Sequence, residues 1–303
     1  MKKILVTGSN GLLGQKIVYK LKDRTDVELI ATARGENRLL DQNGYTFHSL
    51  DIESRENVDA VIDEVKPDSI IHTAAMTQVD DCELDHAACD RANVDAVQYI
   101  VDAAERNNSH LIHISTDFIF NGEEGPYDEE GVADPLSYYG KAKWKGELIV
   151  QNSKLKWVIL RTVLVYGIVD NMSRSNIVLW AKGALEKGNP INVVDDQFRS
   201  PTLAEDLADG CILAVDKSAT GIYNISGKDQ FSIIDLVREV ADYYGLDKSL
   251  INPVSSETLN QAAKRPPKTG FILDKARKDL GYNPHSFKEG IALMEKQLET
   301  KNF

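Results

Sequence analysis

Residues 3–14 read Lys3-Ile4-Leu5-Val6-Thr7-Gly8-Ser9-Asn10-Gly11-Leu12-Leu13-Gly14, and this stretch decides the fold. Lys3–Val6 has the pattern of a short buried strand. Leu12, Leu13, Ile17, Val18 and Leu21 recur at helical spacing. Between them Gly8, Gly11 and Gly14 form a G-x-x-G-x-x-G turn. Glycines at a strand-to-helix junction permit a tight turn and a close approach of backbone to a pyrophosphate, which then meets the helix N-terminus. A glycine triplet alone is weak evidence. Set between a first strand and an amphipathic helix, it points to a dinucleotide.

The alternation continues outward from that turn. Val27–Ala31, Tyr45–Leu50, Ser69–His72, Leu111–Ser115 and Trp157–Val165 read as five further strands. Val58, Val61, Ile62 and Val65 mark a helix stopped near Pro67. Cys82 to Ala104 reads as one helix, with Val94, Val97, Ile100 and Val101 on one face. Tyr139–Val150 reads as another. This order predicts an α/β protein built on a Rossmann-type, doubly wound parallel sheet. After Gly167 the rhythm changes. A loop over Asp170–Ser175 precedes a helix around Ile177–Leu185, and Asp195–Thr202 reads as a polar loop. Ala204–Val215 and Ile233–Tyr244 are helical, and residues 251–270, with Pro253, Pro266 and Pro267, look irregular. We expect a dinucleotide-binding domain over residues 1–166, with a returning segment at about 203–226. Residues 167–202 and 227–303 would form a smaller C-terminal α/β substrate-binding domain.

The bulk properties narrow the function. A chain of 303 residues allows one large domain or two modest ones. A net charge of −12 repels a phosphate backbone and argues against nucleic acid, though not against one nucleotide in a pocket. The apolar run after Lys2 and Lys3 is too short for a signal peptide, and no stretch approaches the ~20 apolar residues of a membrane span. Cys82, Cys89 and Cys211 are odd in number and lack metal-ligand spacing, so they read as free thiols in a reducing, cytoplasmic setting. His72 and His113, inside apolar runs, read as core or site-edge histidines. No metal site is expected.

Two further patterns carry chemistry. The second strand ends Ala31-Thr32-Ala33-Arg34 with no acid, and Arg38 follows. An acid there would take the ribose 2′-hydroxyl of NAD; a guanidinium suits the 2′-phosphate of NADP. The cofactor expected is therefore NADP(H) rather than NAD(H), with Glu36 nearby as the counter-argument and a solvated surface cation as the plain alternative for Arg34. Tyr139 and Lys143 in Tyr139-Gly140-Lys141-Ala142-Lys143 are four apart and share a helix face. A phenol has a reference pKa of about 10. A fixed ammonium beside it lowers that value and lets the pair move a proton at a reacting carbonyl.

The chain resembles the extended short-chain dehydrogenase/reductases nearly end to end, and within them the RmlD-like group of dTDP-4-dehydrorhamnose reductases. The likeness rests on the glycine turn, Asp51-Ile52, and Ala74-Ala75-Met76-Thr77-Gln78-Val79-Asp80. It rests further on Ser115-Thr116-Asp117-Phe118-Ile119-Phe120-Asn121-Gly122, the Tyr139–Lys143 block, Asp196-Gln197-Phe198-Arg199-Ser200-Pro201-Thr202 and Arg265-Pro266.

The resemblance implies a role for each matched residue. Tyr139 would be the general acid, Lys143 would lower its pKa and hold the nicotinamide ribose, and Thr116 would orient the substrate carbonyl. Ser115 and Asp117 would support the site, with Asp117 on the substrate side. Gly8, Asn10, Gly11, Leu12, Leu13 and Gly14 would hold the cofactor phosphates. Asp51 and Ile52 would frame the adenine, and Ala74, Ala75 and Thr77 would line the cofactor channel. Asn93 matches the family's helix asparagine, a structural or proton-relay position. Arg199 and Arg265 would meet a sugar-nucleotide diphosphate, with a rim salt bridge as the alternative for Arg199. Asp128, Glu129 and Glu130 read as a solvated acidic loop. A homodimer through helices beside the site is also implied.

Two departures fall on the substrate side. Leu164 stands where the group usually carries tryptophan, and Arg199 where it usually carries glycine. The implied activity is NADPH-dependent reduction of a nucleotide-linked 4-keto-6-deoxy sugar. The alternatives are a cofactor-binding regulatory subunit, like the β subunit of methionine adenosyltransferase, and a sugar-nucleotide epimerase or dehydratase.

Overall fold

The computed structural model describes residues 1–171 and 175–301. The first strand, β1 (Lys2–Thr7), alternates its side chains. Ile4 and Val6 face one layer of helices, Leu5 the other, and all are at most 1% exposed. Helix α1 (Leu12–Leu21) follows the glycine turn. Then come β2 (Val27–Ala33), β3 (Thr46–Ser49), α2 (Arg55–Val65) and β4 (Ser69–His72). Next are α3 (Val79–Leu84), α4 (His86–Asp90), α5 (Ala96–Asn107), β5 (His110–Thr116), α6 (Tyr138–Gln151) and β6 (Trp157–Thr162).

A seventh strand joins the sheet from further along the chain. After β7 (Val165–Tyr166), α7 (Ile177–Glu186), β8 (Ile191–Val194), β9 (Phe198–Arg199), β10 (Thr202–Leu203) and α8 (Ala204–Asp216), the chain forms β11 (Gly221–Asn224) beside β6. The sheet runs β11-β6-β5-β4-β1-β2-β3, parallel throughout. The order reverses between β1 and β4. In such sheets the crevice outside the carboxyl ends of the strands at that point binds the ligand. The remaining elements, β12 (Phe231–Ser232), α9 (Ile233–Tyr244), β13 (Ile251–Val254) and α10 (Phe287–Lys301), close the chain. A separate apolar cluster joins α7, α9 and α10 over β8, including Val178, Ala181, Leu236, Val240, Ile291 and Met294.

The structure corrects four readings. The sixth strand is not continuous to Val165: it stops at Thr162, and Leu164 takes a left-handed φ of 37° before β7 begins. The long helix expected over Cys82–Ala104 is broken. Asp85 leaves helical geometry, and its carboxylate accepts from the Ala88 N–H at 2.9 Å. A π-helical turn at Arg91–Asp95 then shifts the register before α5. Residues 251–270 are not wholly irregular, because β13 pairs with β8. The Asp195–Thr202 segment is not simply a polar loop. It contributes β9 and part of β10, and buries Gln197, Arg199, Ser200 and Thr202. Of the loop expected at Asp170–Ser175, Met172, Ser173 and Arg174 lie outside the described residues. Asp170 is buried, and its carboxylate accepts from the Tyr19 hydroxyl and the Leu40 N–H.

Glu129 also departs from its expected solvated role. It is half-buried, its Oε1 accepts from the Asn224 N–H at 2.9 Å, and burial pushes its carboxyl up. Its carbonyl accepts from Arg161 Nη1 at 3.0 Å. Arg161 in turn donates bidentately to Glu147, Nε to Oε1 at 3.1 Å and Nη2 to Oε2 at 2.8 Å, tying α6 to β6 with both side chains at most 2% exposed. Removing one partner of such a pair strands the other charge in the core. Glu147→Ala should therefore lower stability by about 3–5 kcal/mol, measured as a drop in the urea midpoint.

Candidate active site

The glycine turn at the end of β1 is built for close approach. Gly8 has φ of 70°, and a Cβ there would lie 2.9 Å from the backbone of Ala74. A Cβ on Gly14 would sit 2.2 Å from the Gly8 carbonyl oxygen. The cap of α1 is Gly11, which offers no side chain to the first N–H groups of the helix. Leu12 and Leu13 are half-buried behind it. These features fit a pyrophosphate held by backbone at a helix N-terminus.

Asn10 extends that surface. Its Oδ1 accepts from the Arg38 N–H at 2.9 Å and its Nδ2 donates to the Glu36 carbonyl at 2.8 Å. The segment after β2 is thereby tied to the glycine turn. Arg34 projects from its start, 75% exposed at the side chain and 4.0 Å from Glu53, whose other oxygen lies 3.4 Å from Arg91. Asp51 is half-buried, and its Oδ1 accepts from the Glu53 N–H. Ile52 packs against the core beside it.

Across the switch point, Ala74 and Ala75 are half-buried and Thr77 is exposed. Thr7 Oγ1 accepts from the N–H groups of Thr73 and Ala74 at 3.1 and 3.3 Å. Its own proton is then free for His72 Nδ1, 2.8 Å away. That assigns the His72 proton to Nε2, and burial pushes its pKa down to about 3, so the ring is neutral. Asn93 uses its amide structurally. Its Oδ1 accepts from the Met76 N–H and its Nδ2 donates to the Met76 carbonyl, pinning the segment after β4 to the π-turn.

Tyr139, Lys143 and Thr116 meet because α6 lies hard against the end of β5. The Ser137 hydroxyl caps the helix at the Gly140 N–H, and a Cβ on Gly140 would lie 2.2 Å from the Phe118 carbonyl. Tyr139 is 8% and Lys143 4% exposed. The Thr116 hydroxyl lies beside the Tyr139 phenol and favours its ionised form, but burial dominates and pushes the phenol up. Lys143, one turn on, makes its own bond elsewhere. Its Nζ donates to the Ile114 carbonyl at 2.8 Å. Burial pushes the ammonium down to about 8, with Glu147 opposing. Tyr138 points away, donating to Asp90 at 2.7 Å and stacking on His86, and Lys141 is exposed.

Ser115 is buried, and among the described residues its hydroxyl has no hydrogen-bond partner. The other substrate-side residues are engaged with protein. Thr116 Oγ1 donates to Asp117 Oδ1 at 3.1 Å, and Asp117 Oδ2 accepts from Thr269 Oγ1. Arg199 is not a rim residue or an open diphosphate contact: it is 4% exposed, and its Nη atoms donate to the carbonyls of Phe198, Pro266 and Pro267. Arg265 forms a bidentate pair with Asp80, at 3.1 and 2.7 Å. Asp80, Thr269 and Thr7 had no assigned role in the sequence reading. Asp80 ends a motif already singled out, whereas Thr269 lies in the stretch read as irregular and gave no signal. Among the described residues no group of three or more His, Cys, Asp and Glu is placed to hold a metal, and no helix is long and apolar enough to cross a membrane.

A buried phenol, hydroxyl and ammonium therefore lie at the same carboxyl edge of the sheet as a turn shaped for a dinucleotide. Comparison with known proteins agrees with that combination. The dTDP-4-dehydrorhamnose reductase of Aggregatibacter actinomycetemcomitans is 31% identical, covering 96% of this chain and 97% of that one. The methionine adenosyltransferase 2 subunit beta of Xenopus tropicalis is 30% identical over 88% of this chain and 78% of its own length. A crystal structure of dTDP-4-dehydrorhamnose reductase from Bacillus anthracis in complex with NADP superposes with a TM-score of 0.84 at 28% identity, covering 98% of this chain and all of that one. A family model described as RmlD substrate binding domain matches residues 1–300, and the chain belongs to that family.

Proposed function

We propose that this chain is an NADPH-dependent reductase of a nucleotide-linked 4-keto-6-deoxy sugar, of the dTDP-4-dehydrorhamnose reductase type. The observation that carries the reading is the burial of Tyr139, Lys143 and Thr116 together at the carboxyl edge of the sheet, the edge that also carries the Gly8–Gly14 turn. The reductase relatives and the NADP complex of one of them support it. NADPH, when bound, supplies the hydride.

This chain's own residues would do the rest. Gly8, Gly11 and Gly14 admit the pyrophosphate, with Asn10, Leu12 and Leu13 shaping the turn. Arg34 meets the 2′-phosphate, and Asp51 and Ile52 frame the adenine. Ala74, Ala75 and Thr77 border the channel, Asn93 fixes that border, and Ser115 offers its free hydroxyl. Thr116, its own proton given to Asp117, orients the Tyr139 phenol beside it, Tyr139 delivers the proton to the ketone oxygen, and Lys143 sets the local positive charge. Asp117, Arg199 and Arg265 shape the substrate side. The protein would work in the cytoplasm. A homodimer through helices beside the site belongs to the same reading.

A second reading, a cofactor-binding regulatory subunit, draws on one observation: both substrate-side arginines are already paired within the protein. NADPH oxidation with a dTDP-4-keto-6-deoxy sugar generated in place separates the two. Saturable oxidation is expected; tight NADPH binding without turnover would favour the regulatory reading.

Three variants sharpen the test. Tyr139→Phe should lower kcat by about 10²–10⁴-fold while the NADPH Kd, measured by fluorescence titration, stays near wild type. Arg34→Ala should weaken NADPH by about tenfold or more and leave NADH nearly unchanged; equal weakening of both would remove the 2′-phosphate assignment. Lys143→Met addresses stability. Burial holds the Lys143 pKa at about 8, below its ordinary 10.5, so its charge costs stability below about pH 8 and that cost fades between pH 8 and 10.5. The variant should be inactive yet melt a few degrees higher at pH 7, with the advantage shrinking at alkaline pH.

A further inference from the structure

Arg199 and Asp117 form a buried charge pair that the proposed chemistry leaves unexplained. Arg199 Nε lies 3.7 Å from Asp117 Oδ2, and the two side chains are 4% and 3% exposed. Charges so deeply buried are costly unless paired and fully hydrogen-bonded. Here both are. The Asp117 carboxylate accepts from two hydroxyls, Thr116 on one oxygen and Thr269 on the other. The Arg199 guanidinium covers the Phe118 ring at 5.7 Å and donates to Phe198 at 2.7 Å, to Pro266 at 2.8 Å and to Pro267 at 3.4 Å.

The consequence is geometric. Thr116 Oγ1 also accepts from the Phe118 N–H at 3.2 Å, so its rotamer is fixed by one donor and one acceptor. That acceptor, Asp117, is in turn fixed by Arg199 and Thr269. Arg199 lies in β9, Thr269 in the segment after Arg265, and Thr116 at the end of β5. One carboxylate therefore joins three segments that are distant in sequence. Burial pushes the Asp117 carboxyl up, and the Arg199 charge is the largest influence holding it down. Without that charge the buried acid is driven toward its neutral form, which offers Thr116 a different partner.

We propose that Arg199 is a positioning residue, acting through Asp117 to hold the Thr116 hydroxyl and through the Pro266 and Pro267 carbonyls to seat Thr269 on the same carboxylate. The proposal deepens the reductase reading and rests on it. It differs from a diphosphate contact, because every Nη bond goes to protein.

The test is a double-mutant cycle on the full-length protein, using Arg199→Met, Asp117→Asn and both together. Steady-state turnover with NADPH and the dTDP-4-keto-6-deoxy sugar is read alongside hydrogen exchange. Arg199→Met should lower kcat by about 10- to 100-fold with the KM for NADPH within about twofold of wild type. The double variant should be no slower than Asp117→Asn alone. Arg199→Lys, which keeps the charge, should recover part of kcat. Amide exchange in Arg199→Met should rise together at Phe118, Lys268 and Thr269. If the two single effects multiply, or if kcat is untouched, Arg199 does not act through Asp117. A rise in substrate KM alone, with kcat retained, would return Arg199 to substrate binding. If wild type shows no turnover, the reductase reading fails. The exchange cycle then decides the proposal: linked loss at Phe118, Lys268 and Thr269, not repeated in the Asp117→Asn background, supports it, and independent loss overturns it. Should Arg199→Met not fold, Thr269→Val takes its place in the same cycle, since it removes one bond to Asp117 and leaves the charges.

Discussion

The close seating of α6 on the end of β5 is the constraint on which the site depends. Gly140 permits it, because any Cβ there would strike the Phe118 carbonyl. Gly146 repeats the device six residues on, where a Cβ would come to 3.0 Å from the Asn93 carbonyl in the π-turn. Without those two approaches, Tyr139 and Lys143 would stand off from Thr116. The turn that follows β5 is also the one that Thr116 caps, through the Phe118 N–H. The residue proposed to orient the Tyr139 phenol is therefore part of the backbone scaffold that receives the helix, and neither can shift without the other.

The same seating forces charge into the interior, and each charge is handled differently. Glu147 and Arg161 neutralise one another bidentately and join α6 to β6. Lys143, one turn before Glu147, has no such partner among the described residues and donates to a carbonyl. Its ammonium is thus held close to release, which suits a group that must influence a nearby proton and ill suits stability. His72 and His113, side by side on β4 and β5 with ring centroids 5.7 Å apart, are kept neutral by burial and add no positive charge beneath it. The Tyr139 phenol is pushed up by the same desolvation. Protein groups alone therefore leave it a weaker acid than the Tyr–Lys spacing suggested. Spacing fixes which residues share a face; depth fixes their ionisation.

Much of this was legible in the sequence, for identifiable reasons. Ile4, Leu5 and Val6 alternate between two cores, and the glycines of the first turn sit where a Cβ has no room, so both left a clear pattern. The breaks were less visible. Asp85 interrupts a run of good helical periodicity by capping the next helix with its own carboxylate, a local bond that periodicity does not register. Leu164 takes a left-handed φ without being glycine, so nothing marked the end of β6. Glu129 looked solvated among acids, yet Asn224, from β11, reaches it across 95 residues. Long-range partners such as these decide burial, and no window along the chain contains them.

The substrate side shows where resemblance and geometry part. Arg199 and Arg265 matched positions at which a diphosphate was expected, and both are cations at the right end of the fold. Each, however, has an acid waiting: Asp117 for Arg199 and Asp80 for Arg265. The two pairs differ in depth. Arg265 is 18% and Asp80 42% exposed, so that pair sits near water and can exchange its acid for another anion at small cost. The Arg199–Asp117 pair is almost wholly desolvated, and opening it would leave a carboxylate stranded between two hydroxyls. An incoming diphosphate would therefore compete successfully for Arg265 and not for Arg199. By this argument the glycine-to-arginine departure at position 199 adds no ligand contact. It adds a cation whose bonds run to the Phe198, Pro266 and Pro267 carbonyls and whose charge lies against Asp117.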